Sequence, residues 1–160
     1  MSKRKINIFD KIGKLIPGYT GYSFRDEKRN TDKKTRTFLA VSIQQSENLI
    51  IQHQKELINK NDIQKAMEWD NSRKMLNTLF YKIQNTSYGE SSFFSENQIK
   101  EEELDEIHSS DLAMTERILL ISKTVQEEIN EPLSIVFVLQ QISEVENLLI
   151  KRLNFINQYK

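Results

Sequence analysis

Apolar residues recur at spacings of three and four along almost the whole chain, and alternating strand-like runs are missing. "INIFDKIGKLI" sets Ile6, Phe9, Ile12, Leu15 and Ile16 on one side, which predicts a short amphipathic helix. "PGYTG" ends it, because Pro17 and Gly18 break helices. Ser23, with Asp26 three residues on, has the spacing of a capping box for the next helix. No breaker interrupts the chain from Phe24 to about Asn59. There Phe38, Leu39, Ile43, Ser46, Ile50, His53 and Leu57 form a candidate buried stripe.

"NKND" at 59–62 predicts a turn. A third helix then turns Ile63, Met67, Leu76, Leu79, Phe80 and Ile83 inward, with Trp69 and Tyr81 flanking. "NTSYGESSFFSENQ" at 85–98 reads as a loop, and Ser95 with Gln98 as the capping box of a fourth helix. That helix opens with "EEELDEIH", acidic as a helix N-terminus prefers. "HSSD" is expected to interrupt it before Met114, Ile118, Ile121, Val125 and Ile129. Asn130 can cap a last helix with Pro132 in its first turn. Leu133, Val136, Leu139, Ile142, Val145, Leu149, Leu153 and Ile156 make it the most continuously apolar element, expected at the centre. The expected fold is all-α: an antiparallel bundle of three to four long helices preceded by a short amphipathic one. A single domain spans 1–160, with the first helix and tyrosine loop over 1–22 and the bundle over 23–160.

Composition supports this picture. Four Gly and two Pro in 160 residues disfavour a turn-rich fold. The absence of Cys excludes disulfides, thiolate metal sites and cysteine nucleophiles. No leader-like apolar run and no spanning segment of ~18 apolar residues is visible, so the cytoplasm is the expected compartment. Net charge is zero but unevenly spread. Residues 1–36 carry eleven Lys/Arg against four Asp/Glu, a net +7, whereas residues 90–131 carry twelve acidic and three basic residues, a net −9. Such a dipolar chain pairs its own parts or meets a charged partner.

Catalytic and metal motifs find little support. His53 and His108 could ligate a metal only with Glu56, Glu106 or Asp111. HExxH is absent, and Ile50 and Asp105 stand where the Glu-x-x-His of di-metal bundles needs Glu. Neither a G-x-S-x-G elbow nor a phosphate-binding glycine loop occurs. The reading is therefore non-enzymatic, with no cofactor and no metal. Two surface alternatives remain. "KRKINIFDKIGKLI" has the character of an interfacial helix for an anionic membrane, its apolar face Ile6, Phe9, Ile12, Leu15 and Ile16. Arg25, Arg29, Lys33 and Arg36 form a basic stripe for weak nucleic-acid binding, but Asp26, Glu27 and Asp32 interrupt it.

"IPGYTGYSFRDEKRNTDKKTRTFL" and the later "GESSFFSENQIKEEELDEIHSSDLAM" together resemble an uncharacterised family of bacterial all-helical proteins. That family has an IPGYxGY…DKxxR opening and a later FF…EEELD block. The positions concerned are Pro17, Gly18, Tyr19, Gly21, Tyr22, Glu27, Arg29, Asp32, Lys33 and Arg36, then Phe93, Phe94, Glu103, Leu104, Asp105 and Asp111. The resemblance implies one helical domain in a cytoplasmic, membrane-adjacent setting, and brings no catalytic role.

Arg29 and Asp32 are i,i+3, and Asp32 and Arg36 are i,i+4, so one helix face holds all three. If that face packs on the acidic helix, Arg29 or Arg36 meets Asp105 or Asp111 in an ion-pair network, with Tyr19 and Tyr22 beside it and Lys28, Lys33 and Lys34 outward. Tyr19, Tyr22, Phe93 and Phe94 make the candidate interaction surface. Exposed, the two Phe anchor a partner; buried, they staple their loop to the bundle. The expected function is a scaffold or regulatory protein acting through contacts with a protein partner.

Overall fold

A computed structural model describes residues 3–86, 91–95 and 99–159, without the side chains of residues 3–7 and 9. The expectations for Ile6 and Phe9 on the apolar face, and for Gly89 and Gln98 in the loop, lie outside the described residues. The described chain is all-helical: α1 (Lys3–Leu15), α2 (Arg25–Asn59), α3 (Ile63–Gln84), α4 (Glu101–Glu127) and α5 (Ser134–Asn157). α2 packs on α3 and α4, α5 packs on α3 and α4, and α1 packs on α4 alone. α4 thus touches three helices, which corrects the expectation that the last helix is central.

The helix ends differ from the expected caps. α2 begins after an extended Phe24 with no side-chain cap, so Ser23 does not cap it; Asp26 and Glu27 in its first turn face the positive end of the helix dipole. At the other end Asn61 adopts a positive φ of 63°, a conformation Asn tolerates. Asp62 then caps α3 by accepting from the Lys65 amide. Ser95 donates to the Ser92 carbonyl instead of capping α4, whose first turn follows an extended Lys100. α5 starts at Ser134, beyond Asn130 and Pro132, and Ser134 Oγ bonds the carbonyls of Ile129 and Glu131 in the preceding turn.

α4 runs unbroken through "HSSD", because His108 and Asp111 lie on its buried stripe and two serines cost a helix little. The inward face of α3 is Ala66, Trp69, Ser72, Leu76, Leu79 and Ile83, so Trp69 is core while Ile63 and Met67 are exposed. Leu133 and Val136, expected inside, are exposed at the start of α5.

Two apolar clusters result. The larger joins α2–α5 through Ile43, Ile50, Trp69, Leu76, Leu79, Ile118, Val138, Ile142 and Val145. The smaller gathers Ile12, Ile16, Tyr19, Tyr22, Phe93, Phe94, Leu104, Ile107, Phe155 and Ile156. Along α4 and α5 the larger ends at Met114 and Val145, and the smaller at Ile107 and Phe155. Asp111 and Arg152 occupy the interval.

Candidate functional site: a buried polar junction

Val145, Leu149, Arg152 and Ile156 follow the spacing of four, three and four that keeps a helical stripe facing inward. Arg152 is therefore carried into the interior by its neighbours and is 2% exposed. Its Nε donates to Asp111 Oδ1 at 2.7 Å, and its Nη2 donates to Asp32 Oδ1 at 2.8 Å and to Tyr22 Oη at 2.7 Å. The planar fork suits this task, since one guanidinium presents donors in several fixed directions. Tyr22 Oη in turn donates to Asp111 Oδ2 at 2.7 Å, and Tyr19 Oη donates to the same oxygen at 3.0 Å. Arg36 completes the cluster from α2. Its Nε donates to Asp32 Oδ2 at 2.9 Å and its Nη1 to the Gln84 carbonyl at the end of α3 at 3.0 Å. Two guanidinium groups thus face two carboxylates, and all four helices α2–α5 are tied in.

The tyrosine loop is held by its backbone as well. The Tyr22 amide donates to His108 Nε2 at 3.1 Å, which places the imidazole proton on Nδ1, and the two rings stack 5.6 Å apart. Thr31 Oγ1 donates to the Gly21 carbonyl at 2.8 Å, and Gly21 takes a φ of 81° that a side chain would strain. Burial pushes both tyrosine hydroxyls well above their ordinary pKa, with Asp111 adding to the effect and Arg152 opposing it. They stay protonated donors throughout the neutral range.

Asp32 and Arg36 pair with each other, and among the described residues no ion pair joins Arg36 to Asp105 or Asp111. Arg29 is exposed and meets neither Asp105 nor Asp111; its guanidinium lies over the Phe94 ring, 5.2 Å from the centroid. Asp105 is half-buried, and no basic side chain among the described residues pairs with it. Asp111 is fully buried, but its cation comes from α5 rather than α2. Lys28, expected outward, is 2% exposed; it donates to the Phe93 carbonyl at 2.9 Å and sits 5.0 Å from that ring's centroid.

Tyr19, Tyr22, Phe93 and Phe94 are all buried, so the candidate interaction surface is interior and the two Phe staple their loop. The described part of the candidate membrane face, Ile12, Leu15 and Ile16, also packs inward. Among the described residues no three His, Asp or Glu gather as a metal site requires. Arg152, His108 and Lys28 were not anticipated. For Arg152 and His108 the signal was a charged or polar residue at a position the apolar stripe reserves for the core; Lys28, beside Thr31 and Asp32, had no such stripe to mark it.

An outward apolar groove lies elsewhere. Ile58, Ile63 and Met67 line a groove of about 390 Å³ between α2 and α3, with Ala66 at its floor and Gln54, Asp70 and Lys74 around it. Each of the three is more than half exposed.

No protein-family model, no curated protein and no solved structure matches this chain.

Proposed function

We propose that this chain is a non-enzymatic helical scaffold or regulatory protein that works through contact with a protein partner. The observation that carries this reading is the groove at the α2–α3 end. Three large apolar side chains, Ile58, Ile63 and Met67, stand more than half exposed there, while Tyr19, Tyr22, Phe93 and Phe94 are packed away. Apolar residues grouped in a groove with a polar rim are the usual mark of a docking surface. The junction suits a scaffold because its polar groups are used to join elements instead of facing a cleft.

The arrangement belongs to the same reading: one domain made of two antiparallel hairpins. As α2 is followed back from Gln54 through Glu47 to Arg36, its partners on α3 advance from Ala66 through Asn77 to Gln84. As α4 is followed back from Arg117 to Asp111, its partners on α5 advance from Gln141 to Arg152. The nucleic-acid alternative has less to stand on, since Lys28 is drawn inside and Arg36 is engaged by Asp32.

The test is cross-linking and affinity capture from a native extract with the wild-type chain and with I63E/M67E. Both substitutions fall on exposed positions, so the helical circular dichroism should not change. Specific partners captured by the wild type should be lost. Capture of the same partners by I63E/M67E would remove the groove from the reading, and no specific capture by the wild type would remove the reading itself.

A further inference from the structure

We infer that α1 is a releasable arm for an anionic lipid bilayer, docked on α4 with its lipid-binding face turned inward. The inference does not depend on the proposed protein contact. α1 carries Lys3, Arg4, Lys5, Lys11 and Lys14 against a single Asp10, and its sequence is amphipathic. Basic amphipathic helices of this kind lie in the headgroup region of membranes. Here that face is covered: Ile12 and Ile16 are fully buried, and Ile8 and Leu15 are partly buried beside Leu104 and Ile107 of α4. The helix that covers it opens with Glu101, Glu102 and Glu103, a run of the opposite charge. α4 therefore carries in one helix what an anionic membrane presents together, an apolar face and negative charge.

The attachment is confined. Among the helices α1 touches only α4. The chain is pinned immediately afterwards, where Tyr19 and Tyr22 bond Asp111 and the Tyr22 amide bonds His108. Between arm and pin lie Pro17 and Gly18, and Gly18 has a φ of 80°, in the region a glycine enters freely. Rotation there moves α1 while the side-chain bonds of Tyr19 and Tyr22 to Asp111 can hold, although Ile12 and Ile16 leave the apolar cluster they share with those rings.

Release exchanges like for like on α1, because the same apolar face leaves α4 and enters lipid. The electrostatic term favours the bilayer. A handful of glutamates in water is replaced by a continuous anionic surface, on which each Lys or Arg is worth ~5-fold in partitioning. The opposing term is α4 itself, whose Leu104 and Ile107 lose their cover. That penalty keeps the arm docked away from a membrane, and surface charge decides the balance.

The test is co-sedimentation of the full chain with phosphatidylcholine vesicles, with and without about 30% phosphatidylserine, at low and high salt. Binding should require phosphatidylserine and fall with added salt as the charges are screened. K11Q/K14Q changes two exposed positions and leaves the docked face intact, so it should bind roughly 25-fold more weakly. A bimane placed by Ile8→Cys, in a chain with no other cysteine, should be quenched by nitroxide-labelled lipid. Four results would overturn the inference. These are no binding at low salt, equal binding to phosphatidylcholine alone, binding undiminished in K11Q/K14Q, or sedimentation with an unquenched probe. Retention by a DNA duplex in preference to vesicles would reassign the basic charge to nucleic acid and overturn it equally.

Discussion

Replacing Arg152 with Met removes one charge from the centre of the junction while keeping most of the side chain's length. Asp111, fully buried, then loses the Arg152 guanidinium and retains the two tyrosine hydroxyls. Asp32, 3% exposed, keeps Arg36 but loses the bond at Oδ1 from Arg152. The methionine packs well, so the loss is dominated by a carboxylate stranded in the interior. Breaking a buried pair from one side costs ~3–5 kcal/mol. With a urea dependence of about 2 kcal/mol per molar, the unfolding midpoint at pH 7 should fall by roughly 1.5–2.5 M. The assay is a urea titration followed by circular dichroism at 222 nm. Arg117→Met is the control: the same change at a side chain 41% exposed, paired with Glu144 at 2.9 Å, where a surface pair is worth ~0–1 kcal/mol. An Arg152→Met loss below about 1 kcal/mol, or no larger than that of Arg117→Met, would refute the view that this cation holds the junction together.

The remaining predictions concern the groups around it. Tyr22→Phe removes a hydroxyl that both donates to Asp111 and accepts from Arg152, so it should cost ~1.5–3 kcal/mol by urea unfolding, against about half that for Tyr19→Phe, which loses one bond. An equal or larger loss in Tyr19→Phe would contradict the double role. Tyr19 and Tyr22 are raised well above the ordinary value of 10 and Tyr159 to about 12, all three chiefly by burial. Their contribution to stability is complete below pH 10 and is lost as pH rises above it, because the unfolded chain releases those protons first. Absorbance at 295 nm should accordingly show incomplete tyrosinate formation at pH 11 while the helical signal persists; full ionisation with the fold intact would contradict the burial. Burial beside Trp69 lowers the pKa of His53, so the native state resists a proton that the unfolded chain accepts. Stability linked to His53 is present above pH 6.5 and is lost as pH falls below it, and a ring-proton NMR titration should give a midpoint under 6.5. A midpoint at or above that value would count against it.

Helical periodicity carried most of the fold into view, since Leu39, Ile43, Ile50, Leu76, Ile118 and Ile142 all keep the spacing of three and four that one buried face requires. Helix ends were less legible. Ser23, Ser95 and Asn130 have the chemistry of caps, yet the backbone turns elsewhere, because side-chain capping competes with packing that begins one or more residues later. Ile63, Met67, Leu133 and Val136 misled for a related reason. They sit at or near the N-terminal ends of α3 and α5, where apolar spacing continues but the side chains stay exposed.

The junction was half legible, and the missing half is instructive. Asp32, Arg36, Asp111, Tyr19 and Tyr22 stood out because they are local clusters of charge or aromatic groups. Arg152 belongs to no such cluster. It is a lone cation on the stripe Val145, Leu149, Arg152, Ile156, and only the stripe marks it as buried. Its partners lie 41 and 120 residues away, so no pairing rule that works along one helix can find them. His108 shares this property, set beside Leu104 and Ile107 on the buried face of α4. The physical lesson concerns α2 and α5. These two helices do not pack on each other among the described residues, and Arg152 joins them by reaching across to Asp32. Apolar side chains at positions 32, 111 and 152 could fill the same space with no desolvation cost, but they would tolerate a shift of one helix past another. A guanidinium held by two carboxylates and a hydroxyl does not, because a displacement of one turn leaves every member unpaired. Asp32 and Arg36, from the charge concentrated at the head of α2, therefore act on how α2 sits against α5 and the end of α3.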